Sequence, residues 1–220
     1  MNPHSKKINL LSKRFLSIFP LGFIDEKYIA WERGYKWNAH LLWKKYLGKN
    51  EFSRLLSNKE FKLIAKLAVN IESKTNLLFS FEKMALRDSV KSEAGAKIFS
   101  LALYEFIYGK GSKKSKFENF VKCLRKLPRK KTRVVTWPLI TVFGFIAKPQ
   151  QFIFLKSTIT KLAAKEYEYD FQYNSYPTWE TYSSLMSFAK LIKTDLAKLH
   201  PKDYIDIQSF IWTLGSDEYR

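Results

Sequence analysis

Apolar residues recur at steps of three and four along most of this chain, and only 8 Gly and 7 Pro interrupt its 220 residues. An α-helix returns a side chain to the same face at that spacing, so the pattern demands a mainly α fold. In the opening segment, 6–18, Ile8, Leu11, Phe15 and Ile18 share one side before Pro20 and Gly22 break it. A second helix is expected over 25–47, with Asp25 and Glu26 at the positive end of its dipole and Gly48 beyond its end. Tyr28, Trp31, Tyr35, Leu42 and Tyr46 form its apolar stripe. A third, over 58–71, turns Phe61, Ile64, Ala65, Ala68 and Ile71 inward and Lys59, Lys62 and Lys66 outward.

Another helix is expected over 81–90. The one that follows, 93–108, is apolar almost all round and is expected to be the central, fully surrounded helix. Over 113–127, Phe117, Phe120, Val121, Leu124 and Leu127 form a buried stripe. In the last third, the run 151–156 and the alternating 169–173 read as strands flanking a helix over 158–166. A final helix, 178–199, starts on Thr178 as its cap and aligns Tyr182, Leu185, Met186, Ala189, Ile192, Leu196 and Leu199. The expected fold is therefore a single multi-helix domain over 1–220, with a central buried helix and a short two-stranded β element near 150–173.

Several classes are excluded or disfavoured by composition. A hydrophobic content of 46% suffices for a sizeable core. The one cysteine, Cys123, leaves no internal disulfide and no cysteine-based zinc site. The basic N-terminus lacks an apolar core of signal-peptide length, so a reduced, cytoplasmic setting is expected. The most apolar run, 134–147, is 14 residues long and carries Thr136, Pro138, Thr141 and Gly144. That is short of the ~20 residues a membrane span needs, so it reads as buried core.

Charge is the feature closest to function. Residues 1–135 hold 30 Lys/Arg against 11 Asp/Glu, whereas 136–220 hold 9 of each. The whole excess of +19 thus lies in the first part, giving one basic face and one neutral part, the footprint of a polyanion binder. Between Lys110 and Arg133 there are eleven Lys/Arg and one acid, Glu118. Lys110, Lys113 and Lys114 accompany Gly109 and Gly111 in a loop suited to closing over a phosphate backbone. Lys122, Arg125, Lys126, Arg129, Lys130, Lys131 and Arg133 run from a helix face into the turn at Pro128. Contacts of this kind are backbone-directed and steeply salt-dependent. Nucleic acid, DNA or RNA, is the leading partner, with Lys59, Lys62 and Lys66 in support. An acidic protein is another, and an anionic membrane surface a third, motivated by Lys6, Lys7, Lys13 and Arg14 on the amphipathic opening segment. Of the aromatic residues nearby, Trp31 and Tyr35 fall on the apolar stripe and are expected in the core. Trp37 lies off it and is the better candidate for a surface role.

Catalytic signals are sparse. His4, His40 and His200 are far apart, so no metal-ligand spacing arises, and no motif calls for a cofactor. Neither a phosphate-binding G-x-x-x-x-G-K-[ST] loop nor a G-x-S-x-G elbow is present. Glu72-Ser73-Lys74 matches half of a metal-dependent nuclease pattern but lacks the neighbouring strand Asp that such a site needs. Glu105 in 98–108 and Asp206 in 204–208 are carboxylates embedded in apolar sequence, and Lys156 follows the apolar run 152–155. If buried, each must be paired or shifted in pKa, which makes them the candidate catalytic residues for a nuclease or base-removing enzyme. Asp206 is the candidate helper for a Lys156 nucleophile.

Four blocks carry a resemblance: Glu32-Arg33-Gly34-Tyr35-Lys36-Trp37, the run 75–85, the run 132–138 and the run 205–212. They resemble a family of short, uncharacterised bacterial proteins with no established activity, and the similarity covers most of the chain. The resemblance implies a bacterial, cytoplasmic setting and transfers no catalytic residue.

Overall fold

The computed structural model describes residues 3–128 and 134–219. Helix α1 (Pro3–Ile18) leads through a 3-10 turn to the single-turn α2 (Glu26–Tyr28), which opens into a π-helical turn at Ile29–Arg33 and continues as α3 (Gly34–Leu47). Then follow α4 (Lys49–Ser57), α5 (Phe61–Ser73), α6 (Ser80–Ser89), α7 (Glu93–Tyr108) and α8 (Lys113–Leu124). The remaining α-helices are α9 (Trp137–Ala147), α10 (Ser157–Glu166), α11 (Trp179–Asp195) and α12 (Tyr204–Gly215).

Local chemistry sets most of the starts. The side chains of Asp25, Ser92, Ser112, Thr136, Thr178 and Asp203 each accept a backbone N–H of the turn they open. Around these elements, apolar side chains from Ile8 to Leu214 form one contiguous buried cluster. Every residue of α9 is buried, and α3, α5 and α7 pack around it. α12 packs against α10, α11, α1 and the π-helical turn.

The mainly α expectation holds, and three finer expectations are corrected. The fully surrounded helix is α9, not the 93–108 segment. On α7, Ala94, Lys97, Leu101 and Glu105 form an exposed ridge at helical spacing. The β element is absent from the described residues. Residues 152–156 are buried and form neither helix nor strand, and hydroxyls occupy the place of a partner strand: Thr141 accepts the Leu155 N–H at 3.0 Å, and the Tyr182 hydroxyl accepts the Ile153 N–H at 3.3 Å. At 169–174, Ser184 and Thr181 hydroxyls accept the N–H groups of Gln172 and Asn174. Side chains on α9 and α11 thus satisfy donors that a ladder would have used.

The third correction concerns 25–47, where the buried face is Tyr28, Glu32, Lys36, Ala39, Trp43 and Leu47, while Trp31 and Tyr46 are exposed. Arg33 is buried as well, because the wide π turn swings both it and Glu32 inward. Gly34 closes that turn by donating its N–H to the Ile29 carbonyl, against which a Cβ would press at 2.9 Å.

Candidate functional site

The basic helix is built as its pattern requires. Ser112 caps α8, and Phe117, Phe120, Val121 and Leu124, with Leu127 beyond its end, are buried. Lys110, Lys113, Lys114, Lys122, Arg125 and Lys126 are all exposed. Among the described residues Lys110, Lys122 and Lys126 form no ion pair. Lys114 has only long contacts to Glu118 and Glu180, at 3.8 and 3.9 Å. Arg125 is engaged, its guanidinium donating to the Tyr176 hydroxyl and lying 4.6 Å from the ring centre. Arg129, Lys130, Lys131 and Arg133 lie outside the described residues.

Like charges crowd one end of this face. Partial burial, then the charges of Lys190 and Lys116, lower the Lys113 pKa. Lys148 is lowered by burial and by Lys116 and Lys49. Lys116 and Lys148 donate to the Gly109 and Ile107 carbonyls at 3.3 and 2.8 Å, neutralising the negative end of α7. The cluster therefore draws Lys148 and Lys190 from the part of the chain whose own charge is balanced. Lys62 and Lys66 project from α5, which packs on α7 as α8 does, and Lys62 pairs with Glu93 at 3.2 Å. Lys59 is exposed in the turn before α5, left-handed at φ 58°, ahead of the helix that the sequence pattern assigned to it.

The three catalytic candidates do not converge. Glu105 is exposed, contrary to expectation, because it stands on the open ridge of α7, in a groove of about 320 Å³ with Lys110, Lys116 and Cys123. Asp206 is fully buried, and its oxygens are committed to structure. It accepts from the Tyr28 hydroxyl at 2.6 Å, the Arg33 guanidinium at 2.6 Å and the Lys202 N–H at 2.7 Å. Arg33 also forks onto Asp203 at 3.0 and 2.8 Å, which clamps the π turn to the start of α12. Burial, then Asp206, pushes the Tyr28 hydroxyl well above its usual pKa.

Lys156 is buried and donates to the Leu77 carbonyl at 3.2 Å, with Glu82 at 3.8 Å and the Phe79 ring centre at 3.2 Å. Burial lowers its pKa, opposed by Glu82. None of its contacts is with Asp206. Glu72 of the nuclease-like triplet ends α5, buried beside Lys83 at 3.8 Å, and burial raises its pKa to about 7 against the pull of Lys83. Lys74 is exposed. Among the described residues no group of three or more His, Cys, Asp or Glu gathers at metal-binding spacing, and no helix is long and apolar enough to cross a membrane.

Lys156 instead lines a cleft that the sequence pattern did not single out. Two adjoining cavities, of about 280 and 440 Å³, share Phe79, Lys156 and Trp212. The smaller is walled by Trp31, Tyr35 and Tyr219 and floored by Glu32, Lys36 and Gln208. Lys36, fully buried, donates to Glu32 at 2.8 Å and Ser209 at 2.9 Å, and its pKa is lowered by burial and opposed by Glu32. The Tyr219 hydroxyl donates to the other Glu32 oxygen at 2.7 Å. Trp31, expected in the core, is 55% exposed with the Lys27 ammonium 4.5 Å above its ring. Trp37 is half-buried between Arg33 and His40. The segments 32–37, 75–85, 134–138 and 205–212 all contribute to the two cavities, through residues such as Tyr35, Phe79, Trp137 and Gln208. One signal was available in sequence, Glu32 and Lys36 set four apart amid aromatics. No family model, curated protein or solved structure matches the chain.

Proposed function

We propose that this protein binds nucleic acid through the exposed cations of the 110–126 loop and helix, in contacts directed at the phosphate backbone. The observation that carries this reading is the crowding of like charge at Lys113, Lys116 and Lys190, together with Lys110, Lys122 and Lys126, exposed along the same loop and helix as Lys113 and without an acidic partner among the described residues. Cations left unneutralised within one another's field are stabilised by a polyanion that replaces small counterions. An enzyme acting on nucleic acid through Asp206 draws no support from a carboxylate whose oxygens are already bound. The membrane reading draws none from α1, whose apolar side packs on α12, with Phe15 and Phe210 ring centres 5.5 Å apart.

Filter-binding titrations at several salt concentrations test the proposal. Affinity for single or double strands should fall steeply with salt, and the triple variant Lys110→Glu, Lys122→Glu, Lys126→Glu should lose at least a hundredfold while folding normally. Affinity indifferent to salt, or unchanged in the triple variant, would sink the reading.

A further inference from the structure

The cleft differs from the basic face in the kind of ligand it suits. Its charges are already balanced: Glu32 is satisfied by Lys36 and Tyr219, Lys156 faces Glu82, and Glu218 accepts from the Trp212 indole N–H at 3.1 Å. A strongly anionic ligand would meet Glu32 and Glu218, and a cation would meet two lysines. What the lining leaves available is the indole of Trp31 and amide groups. Trp31 is more than half exposed with Lys27 over one face of its ring, whereas Phe79 is taken, with Lys156 3.2 Å from its ring centre and Phe81 stacked on it at 5.6 Å. The amides are those of Asn76 and Gln208.

Gln208 is the telling residue. It is 4% exposed, and its Oε1 has no hydrogen-bond donor among the described residues. A buried acceptor without a protein donor is destabilising, so it calls for a donor from a water or a ligand. Its neighbours Asp206 and Ser209 are both bonded, so the orphan acceptor is confined to the side chain that faces the cleft. A side-chain amide presents donor and acceptor together, the complement of a nucleobase edge, and aromatic faces stack on any base. At about 280 Å³ the smaller cavity is close to the lower size at which clefts take a small molecule.

We infer that this cleft binds a nucleobase, stacked on the Trp31 face that Lys27 leaves open and hydrogen-bonded by Gln208. The inference extends the nucleic-acid reading from backbone to base, and it rests on that reading for the base's source in a strand. A free nucleoside offers the same ring.

Titration of the full chain with neutral nucleosides, read by tryptophan fluorescence, tests it without involving phosphate. At least one nucleoside should quench saturably, and ribose should not. Trp31→Ala, at an exposed position, and Gln208→Leu, which removes the orphan acceptor, should each weaken binding at least tenfold with unchanged helical circular dichroism. The triple charge-reversal variant should bind the nucleoside as the unaltered protein does. If no nucleoside quenches, or if both cleft variants bind as tightly as the unaltered protein, the inference is overturned. Oligonucleotides with and without one abasic site then separate the sources: a loss on base removal identifies a strand as the ligand, and no loss identifies the free nucleoside. Nucleoside binding alongside salt-indifferent strand binding would overturn the backbone reading and leave the cleft standing.

Discussion

Glu72, Asp206 and Glu105 show how one kind of side chain takes three roles from its surroundings. Glu105 and Asp206 have similar apolar neighbours in sequence, yet one is exposed and the other has no contact with water. The difference lies in what crosses over them: no described residue covers the α7 ridge at Glu105, while Arg33 and Tyr28 arrive at Asp206 from more than 170 residues away. Glu72 is the group whose titration reports on folding. Burial raises its pKa from 4.5 to about 7, so the folded chain holds this proton in a range where the unfolded chain releases it. Stability from this group is therefore greatest below pH 4.5 and declines as pH rises to about 7. Between pH 5 and pH 8 the unaltered protein should lose on the order of 2 kcal/mol more than Glu72→Gln. Urea unfolding at the two pH values measures this, and equal losses in both proteins would refute the assignment.

Among the elements, the buried segment 152–156 carries the sharpest lesson. Its Phe and Ile content is that of a strand, yet it forms none. What it lacks is a neighbouring chain, because Thr141 of α9 and Tyr182 of α11 reach its N–H groups first. Thr141→Val should leave the Leu155 N–H unpaired in a dry site and cost about 1–3 kcal/mol. Chemical denaturation reads that loss; a change within ~0.3 kcal/mol would mean that this bond does not hold the segment. The stretch 25–47 teaches the converse. Its aromatics suggested the buried stripe, but Glu32, Arg33 and Lys36 took the inner face once each had a partner. A period alone cannot rank a charged residue above an aromatic one, since the burial of an ion depends on a partner elsewhere in the chain.

For the whole molecule, a net charge of +19 is a repulsion the fold must carry. Added salt screens it, so the thermal midpoint should rise from low to moderate ionic strength, the opposite direction to nucleic-acid affinity under the same change. Calorimetry across a salt series checks this, and a midpoint that falls would show that the buried ion pairs outweigh the surface repulsion. By itself, the sequence determined most of the helices (though not α4, α9 or α12), the cap at Thr178 and the amphipathic build of α8, because these depend on neighbours within a few residues along the chain. It also determined the burial of 134–147, through apolar content alone. Tertiary structure decided which helix is enclosed, that no strand pairs form among the described residues, that Asp206 is a clamp, and that Trp31, Lys156 and Gln208 share a cleft. Each of those depends on residues distant in sequence meeting in space, and on the hydrogen bonds or charges they exchange there.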